Sequence, residues 1–557
     1  MVLDSSALID LAANREAIRA MPPAAGVDHV ITLLQLAAGH QYGGRTDAAI
    51  RLYRKVLLLE PANHDALHLL AVCEHTQGNE EHAAALLKQS IALQPDGQKW
   101  SNLGIIEAAA GNVHGAVKAH RQALWTDPTA YATFTNLIFA IDNHPLSTPR
   151  LLLDERRRFN AYYCAELTAQ APPHTNSLDP NRKLRLGYVS GDFKTHSASR
   201  AFAPFVMEHD LRKFDVYLYS NNAKTPEEEP DRLTEAFMEK ARSGGYVWSQ
   251  ITGYSDEMLA QVIRDDQIDI LVDLSGYSAQ GRLLTFARKP APVQITGWGY
   301  ATGTGLDAMD YLVGDPICVP PENERFYHEK IIRLPVLLCY QFADRMPEIG
   351  PIPCPQKGHL TFGYIGRGIK INEAVIAAWA EILRRVPDSS LLLKGDEYRQ
   401  PFFRERVMDM LVAMGVDPRR VKILVATTSY DHISTYNLID IALDTWPVGS
   451  GVTALDAVAM GVPVVTMLGD LIPSRLPTSI MTTVGLDRQN TTIEEYVEHA
   501  VELSENLPLL SEYRQTLRGK LQGSIIMDGE TYCRRWEAQL REVWRGHCAE
   551  QKKVRAA

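Results

Sequence analysis

His196 and Asp192 stand four residues apart in GDFKTHSASR (Gly191 to Arg200). An imidazole at that place can accept a proton or hold a hydroxyl, with the carboxylate orienting it or relaying a proton through water. A second group of polar residues lies in GYIGRGIKIN, where Arg367 and Lys370 sit beside glycines. Two cations on a flexible backbone suit a diphosphate, and the lysine can neutralise charge building on that diphosphate as it leaves; taken alone, the pair reads equally as surface charge. The third stretch, Tyr436 to Leu468, holds Pro447, Gly449, Ser450 and Gly451 in a turn before a short helix. The amides at that helix start, Ser450 to Thr453, with the dipole behind them, suit an anion. Asp456, one turn in, can accept from a pair of ribose hydroxyls. His432, in SYDHIS, can pack on a base or a ribose or serve only its own loop. The glycine-rich GWGYATGTG (Gly297 to Gly305) suits close approach of backbone to a ligand.

These residues need a scaffold that brings distant segments together. Apolar strands are expected at Leu184–Ser190, Phe214–Ser220, Ile268–Leu274, Val293–Gly297 and Tyr311–Val313, with helical patterns between most of them. A proline-rich connection, Pro347 to Pro355, leads to a second series at His359–Ile365, Ser390–Lys394, Val421–Ala426, Leu438–Leu443 and Val462–Met467. Alternating strands and helices predict two open α/β domains, whose ligands bind at the carboxyl ends of the strands. Every candidate above follows such an end or opens the next helix, so two facing domains would gather them in one cleft.

The first thirty residues read as helical, and a repeat follows. Gly44, Gly78 and Gly111 recur at intervals of 34 and 33 residues, as do Ala49, Ala83 and Ala116, then Leu57, Ile91 and Leu124, then Pro61, Pro95 and Pro128. Turn glycine, crossing alanine and terminating proline predict stacked helical hairpins of the tetratricopeptide kind, about three units with a last helix to Asp142. Asn102 and Asn136 hold matching places in successive units, where side-chain amides can grip a peptide backbone or be satisfied within their own repeat; His68 holds that place in the unit before. The expected domains are the repeats (1–145), a helical junction (146–182), an N-terminal lobe (183–350) and a C-terminal lobe with terminal helices (351–557).

Composition narrows the class. A net charge of −10 argues against a nucleic-acid partner and leaves any phosphate site to be built locally. The seven cysteines form no C-x-x-C pair, as expected of free thiols in a reducing compartment. Neither a secretory signal nor an apolar run of membrane-spanning length is legible, which predicts a cytoplasmic protein without a membrane partner.

With these residues assembled, the chain resembles the O-linked N-acetylglucosaminyltransferases, the intracellular protein O-GlcNAc transferases, in a bacterial form. The resemblance rests on LRLGYVSGDFKTH, RKPAPVQITGWGYATGTG, GYIGRGIKI and LIDIALDTWPVGSGVTALDAVAMGVPVVTM, and it runs over nearly the whole chain. It implies α plus α/β architecture: tetratricopeptide-like repeats, then two Rossmann-like lobes of GT-B type. It further implies an inverting transfer of N-acetylglucosamine from UDP-GlcNAc to serine or threonine hydroxyls of a protein acceptor lying along the repeats. By matching position, His196 falls on the active-site histidine proposed as general base and Asp192 on an aspartate of proton relay. Lys370 falls on the lysine that contacts the diphosphate, Arg367 on a glutamine, His432 on the histidine against the uridine, Asp456 on the ribose-binding aspartate and Gly299 on a glycine near the sugar. Gly451 and Val452 replace a histidine and a threonine, leaving Thr453 as the matching hydroxyl; Ser429 replaces a lysine near the base; Ser197 and Ala198 replace a proline and a threonine; His144 corresponds to a histidine facing the sugar. No two aspartates are two residues apart, so the D-x-D metal clamp of another large class of nucleotide-sugar enzymes is missing, and no cofactor or metal is expected. The alternatives are a relative using UDP-glucose or modifying asparagine, and a peptide-binding scaffold with inactive lobes.

Overall fold

Glycine decides where the N-terminal helices turn. Gly44, Gly78 and Gly111 have φ of 70°, 80° and 76°, the left-handed region that a side chain disfavours, and each closes the first helix of a hairpin. The structure, a computed structural model, describes residues 28–222 and 231–556; the helix expected over the first thirty residues lies almost wholly outside them. The hairpins are Asp28–Tyr42 with Thr46–Leu59, His64–Thr76 with Glu80–Leu93, and Gly97–Ala109 with Val113–Thr126, followed by Tyr131–Asp142. Asn63, Asp96 and Asn112 cap three of these helices by accepting from the amides of Ala66, Lys99 and Gly115, each cap contributing about 1 kcal/mol. The repeated alanines, Ala49, Ala83 and Ala116, are wholly buried where the helices cross. This unit reaches to His144 and also takes in Asp396–Asp409.

The second unit comprises Pro145–Gly395 and Met410–Ala557. Its first sheet has seven strands: β1 Leu184–Ser190, β2 Phe214–Ser220, β3 Tyr246–Gln250, β4 Ile270–Asp273, β5 Val293–Thr296, β6 Tyr311–Gly314 and β7 Lys330–Arg333, in the order β3-β2-β1-β4-β5-β6-β7. Its second has five: β8 Leu360–Ile365, β9 Ser389–Gly395, β10 Val421–Val425, β11 Ile441–Leu443 and β12 Val464–Val465, in the order β10-β9-β8-β11-β12. All pairings are parallel. Two strands have no counterpart in the sequence reading, β3 and β7, and both are edges of the first sheet. Edge strands keep one margin toward solvent and so lack the continuous apolar run of a central parallel strand. The expected strand Leu438–Leu443 is shorter, because Thr435–Leu438 winds into a 3-10 turn first.

The junction is part of the second unit. Its helix, Pro149–Phe159, passes through a π turn at Asn160–Cys164, and Arg157 and Asn160 both bind Asp307, at 2.7 Å and 2.8 Å. The last helix, Gly529–Ala556, was expected with the C-terminal lobe but packs on the N-terminal one. There Trp536 Nε1 donates to the Tyr188 hydroxyl (2.9 Å), and His209 Nδ1 lies 3.1 Å from Glu537. Among the described residues no helix is long and apolar enough to cross a membrane.

Candidate active site

β1, β4 and β5 are neighbours in the first sheet, so the loops after their carboxyl ends lie side by side. The loop after β1 carries Asp192 and His196. Ser190 Oγ accepts from the Asp192 amide at 2.9 Å and Ser275 Oγ from the Gly191 amide at 3.1 Å, which fixes the start of the loop. His196 is the N-cap of the short helix Ser197–Arg200, and its Nδ1 accepts from the Ala198 amide at 3.2 Å. That hydrogen bond needs a lone pair on Nδ1, with the proton of the neutral ring on Nε2. Asp192 Oδ1 lies 3.4 Å from Nδ1. The Ala198 amide favours a neutral His196 that donates from Nε2, while Asp192 beside the same Nδ1 favours the opposite tautomer.

The loop after β5 comes as close to its neighbour as backbone allows. A Cβ at Gly299 would stand 1.8 Å from the Leu274 carbonyl oxygen, so only glycine fits there without a backbone shift. Trp298 before it has φ of 59°, held by burial and by its indole N–H donating to Tyr532.

On the C-terminal lobe, Arg367 and Lys370 frame a 3-10 turn directly after β8. Lys370 Nζ donates to the Gly449 carbonyl at 2.8 Å, which ties the cation to the glycine turn. Asp444, at the end of β11, accepts from both the amide and the hydroxyl of Ser450. Ser450 therefore shapes the turn from beneath. The helix Val452–Ala459 then begins at Gly451 with no side-chain cap, leaving its leading amides for an outside acceptor. Thr453 is half-buried, and its carbonyl accepts from Tyr436 at 2.9 Å.

Asp456 is buried and already engaged. Arg200 donates to both its oxygens, at 2.7 Å and 3.2 Å, and the Tyr340 hydroxyl to one of them at 2.5 Å. Arg200 ends the His196 helix, so this pair binds the two lobes across the cleft. Burial of His432 lowers its pKa below the ordinary imidazole value, with the cations of Lys394 and Arg200 adding to the effect against Asp456. Lys394, at the end of β9, is itself buried and spends its ammonium on Thr427 Oγ1, Thr435 Oγ1 and the Asp431 carbonyl, all flanking His432.

Electrostatics link the remaining pieces. Burial depresses the pKa of His196 below 6.5, opposed by Asp192 and reinforced by Lys194 and by Arg367 of the facing lobe. His196 therefore stays neutral at pH 7. Replacing Arg367 with glutamine is expected to raise the His196 midpoint toward the ordinary value, read from its ring-proton shift in an NMR titration. An unchanged midpoint would mean that Arg367 has no electrostatic influence on the His196 ring.

Hydrogen bonds and electrostatics thus link Asp192, His196, Arg367, His432 and Asp456 across the two lobes, and Lys370 joins the turn that holds Ser450, Gly451 and Thr453, while Gly299 lies on the same sheet edge as the His196 loop. Arg200, Tyr340, Lys394 and Asp444 join them with no role read from the sequence. Lys394 and Asp444 end apolar strands at the carboxyl edge, a place that flags a polar residue; Arg200 and Tyr340 had no such signal. Asn102 and Asn136 lie in the repeat unit. Asn102 is 2% exposed and its amide reaches His68 Nε2 at 2.8 Å, so neighbouring repeats satisfy each other at that position, while Asn136 is half-buried.

Comparison with known proteins follows the same division. The chain matches glycosyl transferase family 41 over residues 165–342 and 358–536, and a tetratricopeptide repeat over residues 43–103. It is 33% identical over 435 residues to the probable UDP-N-acetylglucosamine--peptide N-acetylglucosaminyltransferase SPINDLY of Oryza sativa subsp. japonica, covering 78% of this chain and 46% of that one. The probable SEC transferase of Arabidopsis thaliana is 28% identical over 426 residues, covering 72% of this chain and 42% of that one. The chain thus spans less than half the length of these curated relatives. A solved structure, a mutant of the Thermobaculum terrenum O-GlcNAc transferase, superposes with a TM-score of 0.83 at 32% identity, covering 95% of this chain and 100% of that one. On the match across both lobes and on that superposition, the chain belongs to glycosyl transferase family 41.

Proposed function

We propose that this protein transfers N-acetylglucosamine from UDP-GlcNAc to serine or threonine hydroxyls of protein acceptors, with inversion and without a bound metal. The observation that carries the reading is the cradle of Lys370 and the uncapped helix start at Gly451, facing His196 across one cleft. Fixed cations and aligned amides can take up charge developing on a departing diphosphate. The acceptor hydroxyl attacks the anomeric carbon from the side opposite the diphosphate, which inverts that centre. Nε2–H of neutral His196 suits it to hold an oxygen in place, and the acceptor proton passes to Asp192 through water or to the donor's phosphate. The names of the relatives support the donor and the peptide acceptor, and the tetratricopeptide units support a protein partner. The reading places the enzyme in the cytoplasm, with no nucleic-acid or membrane partner.

The test is incubation with a cell lysate and, separately, UDP-GlcNAc and UDP-glucose, followed by mass spectrometry of modified residues. Hexosamine on serine or threonine from UDP-GlcNAc, undiminished by EDTA, is the expected result. Hexose transfer, asparagine modification, or a strict requirement for added magnesium would each overturn the corresponding part.

A further inference from the structure

Two buried side chains, Arg156 and Glu329, hold Thr302–Gly305 in the loop that follows β5. Glu329, just before β7, is 4% exposed. Its Oε1 accepts from the Thr304 amide (2.6 Å), the Thr304 hydroxyl (2.6 Å) and the Gly305 amide (2.9 Å). Arg156, from the junction helix, is 3% exposed. Its Nε donates to the Gly303 carbonyl at 2.7 Å and its Nη2 to Thr302 Oγ1 at 3.0 Å. The guanidinium also lies 5.6 Å from the centre of the Tyr277 ring, and the Tyr277 hydroxyl donates to the Thr304 carbonyl at 2.6 Å.

Residues 302–305 are buried, so their amides and carbonyls must find partners inside the protein. Burying a carboxyl group and a guanidinium is unfavourable unless they are well hydrogen-bonded, and here both bond to backbone groups of the turn that apolar side chains would leave unpaired. What directed charges add is a single geometry. The segment they fix is continuous with Trp298 and Gly299, which press against Leu274 at the carboxyl edge beside the His196 loop. Glu329 also packs closely on the turn: a Cβ on Gly303 would stand 3.0 Å from Oε2, which has no hydrogen-bond partner of its own.

We infer that Arg156 and Glu329 are a positioning pair for the transfer reaction. They set the turn at 302–305 so that the backbone at 298–301 presents one fixed surface to the transferable group of the donor. Neither touches the donor. The inference rests on the transferase reading above, and it predicts an effect on turnover that is separate from nucleotide binding.

The experiment compares kcat, donor KM, the UDP Kd by calorimetry and the thermal midpoint across a set of variants. Glu329→Ala and Arg156→Ala are expected to lower kcat about tenfold or more, with the UDP Kd within about twofold of the parent. Glu329→Gln keeps an oxygen toward the three donors and is expected to retain about a third or more of the parental kcat. Arg156→Lys cannot deliver the planar fork and should stay near the alanine level. Arg158→Ala, on the same helix, controls for helix stability. Should the alanine variants not fold, Thr304→Val removes one hydroxyl donor, and a kcat lowered about threefold supports the pair. Parental kcat in folded Glu329→Ala or in Thr304→Val overturns the inference, as does a loss in which kcat, UDP affinity and thermal midpoint fall together and glutamine does not rescue. A parent that transfers from no donor overturns the transferase reading together with this one, whereas variants matching an active parent overturn this one alone.

Discussion

Replacing Lys370 with alanine is expected to lower kcat by about a hundred- to a thousandfold, the range seen when one preorganised donor to a developing anion is removed. The ammonium is fixed by the Gly449 carbonyl at 2.8 Å, next to the turn whose amides open the helix Val452–Ala459. It is thereby held before any substrate arrives, which is what makes such a group effective in the transition state. The loss should fall on kcat more than on donor KM, because charge on the diphosphate grows as the glycosidic bond breaks. Lys370→Arg is expected to recover little: a planar fork cannot reproduce a point charge bonded to one carbonyl. Steady-state kinetics with UDP-GlcNAc, paired with calorimetry of UDP, separate the two contributions. Full turnover by the alanine variant would remove this account of leaving-group stabilisation, and with it the reason for expecting no metal.

Asp456→Ala is expected to weaken UDP binding about tenfold or more and to destabilise the second unit by about 3 kcal/mol, because it leaves the partly buried Arg200 without its carboxylate. The two effects have different causes and can be told apart. Arg200 and Tyr340 occupy Asp456 in the structure. A ribose diol must therefore share the carboxylate with Arg200 or displace it. Asp456→Asn keeps an oxygen for Arg200 and should recover part of the stability while still binding UDP poorly. If Asp456 reads the ribose, the parent will prefer UDP to its 2′,3′-dideoxy analogue, and both variants will lose that preference. Equal affinity of the parent for the two nucleotides would assign Asp456 to the contact between lobes alone.

The sequence by itself determined the parts that depend on local physics. Gly44, Gly78 and Gly111 could be placed at helix turns from their recurrence at 34 and 33 residues, and β1 and β2 match the expected Leu184–Ser190 and Phe214–Ser220 to the residue because their apolar side chains cluster within one strand length and are buried. Arg367, Lys370 and the turn at Gly449–Gly451 were legible for the same reason: they follow strand ends, where open α/β sheets place ligand contacts. The edge strands β3 and β7 were not, since half-exposed edges carry no such pattern. The tertiary structure alone decided the partnerships. Arg200 meets Asp456 from 256 positions away, Arg156 grips Gly303 from 147, and Trp536 closes on Tyr188 from 348. It also set the Ala198 amide and Asp192 against His196 Nδ1 and turned Asn102 toward His68. A side chain's type and its place on a strand or helix fix what it can bond to; which partner it finds depends on how separate elements pack, and that is settled by the burial of the whole fold rather than by any segment of it.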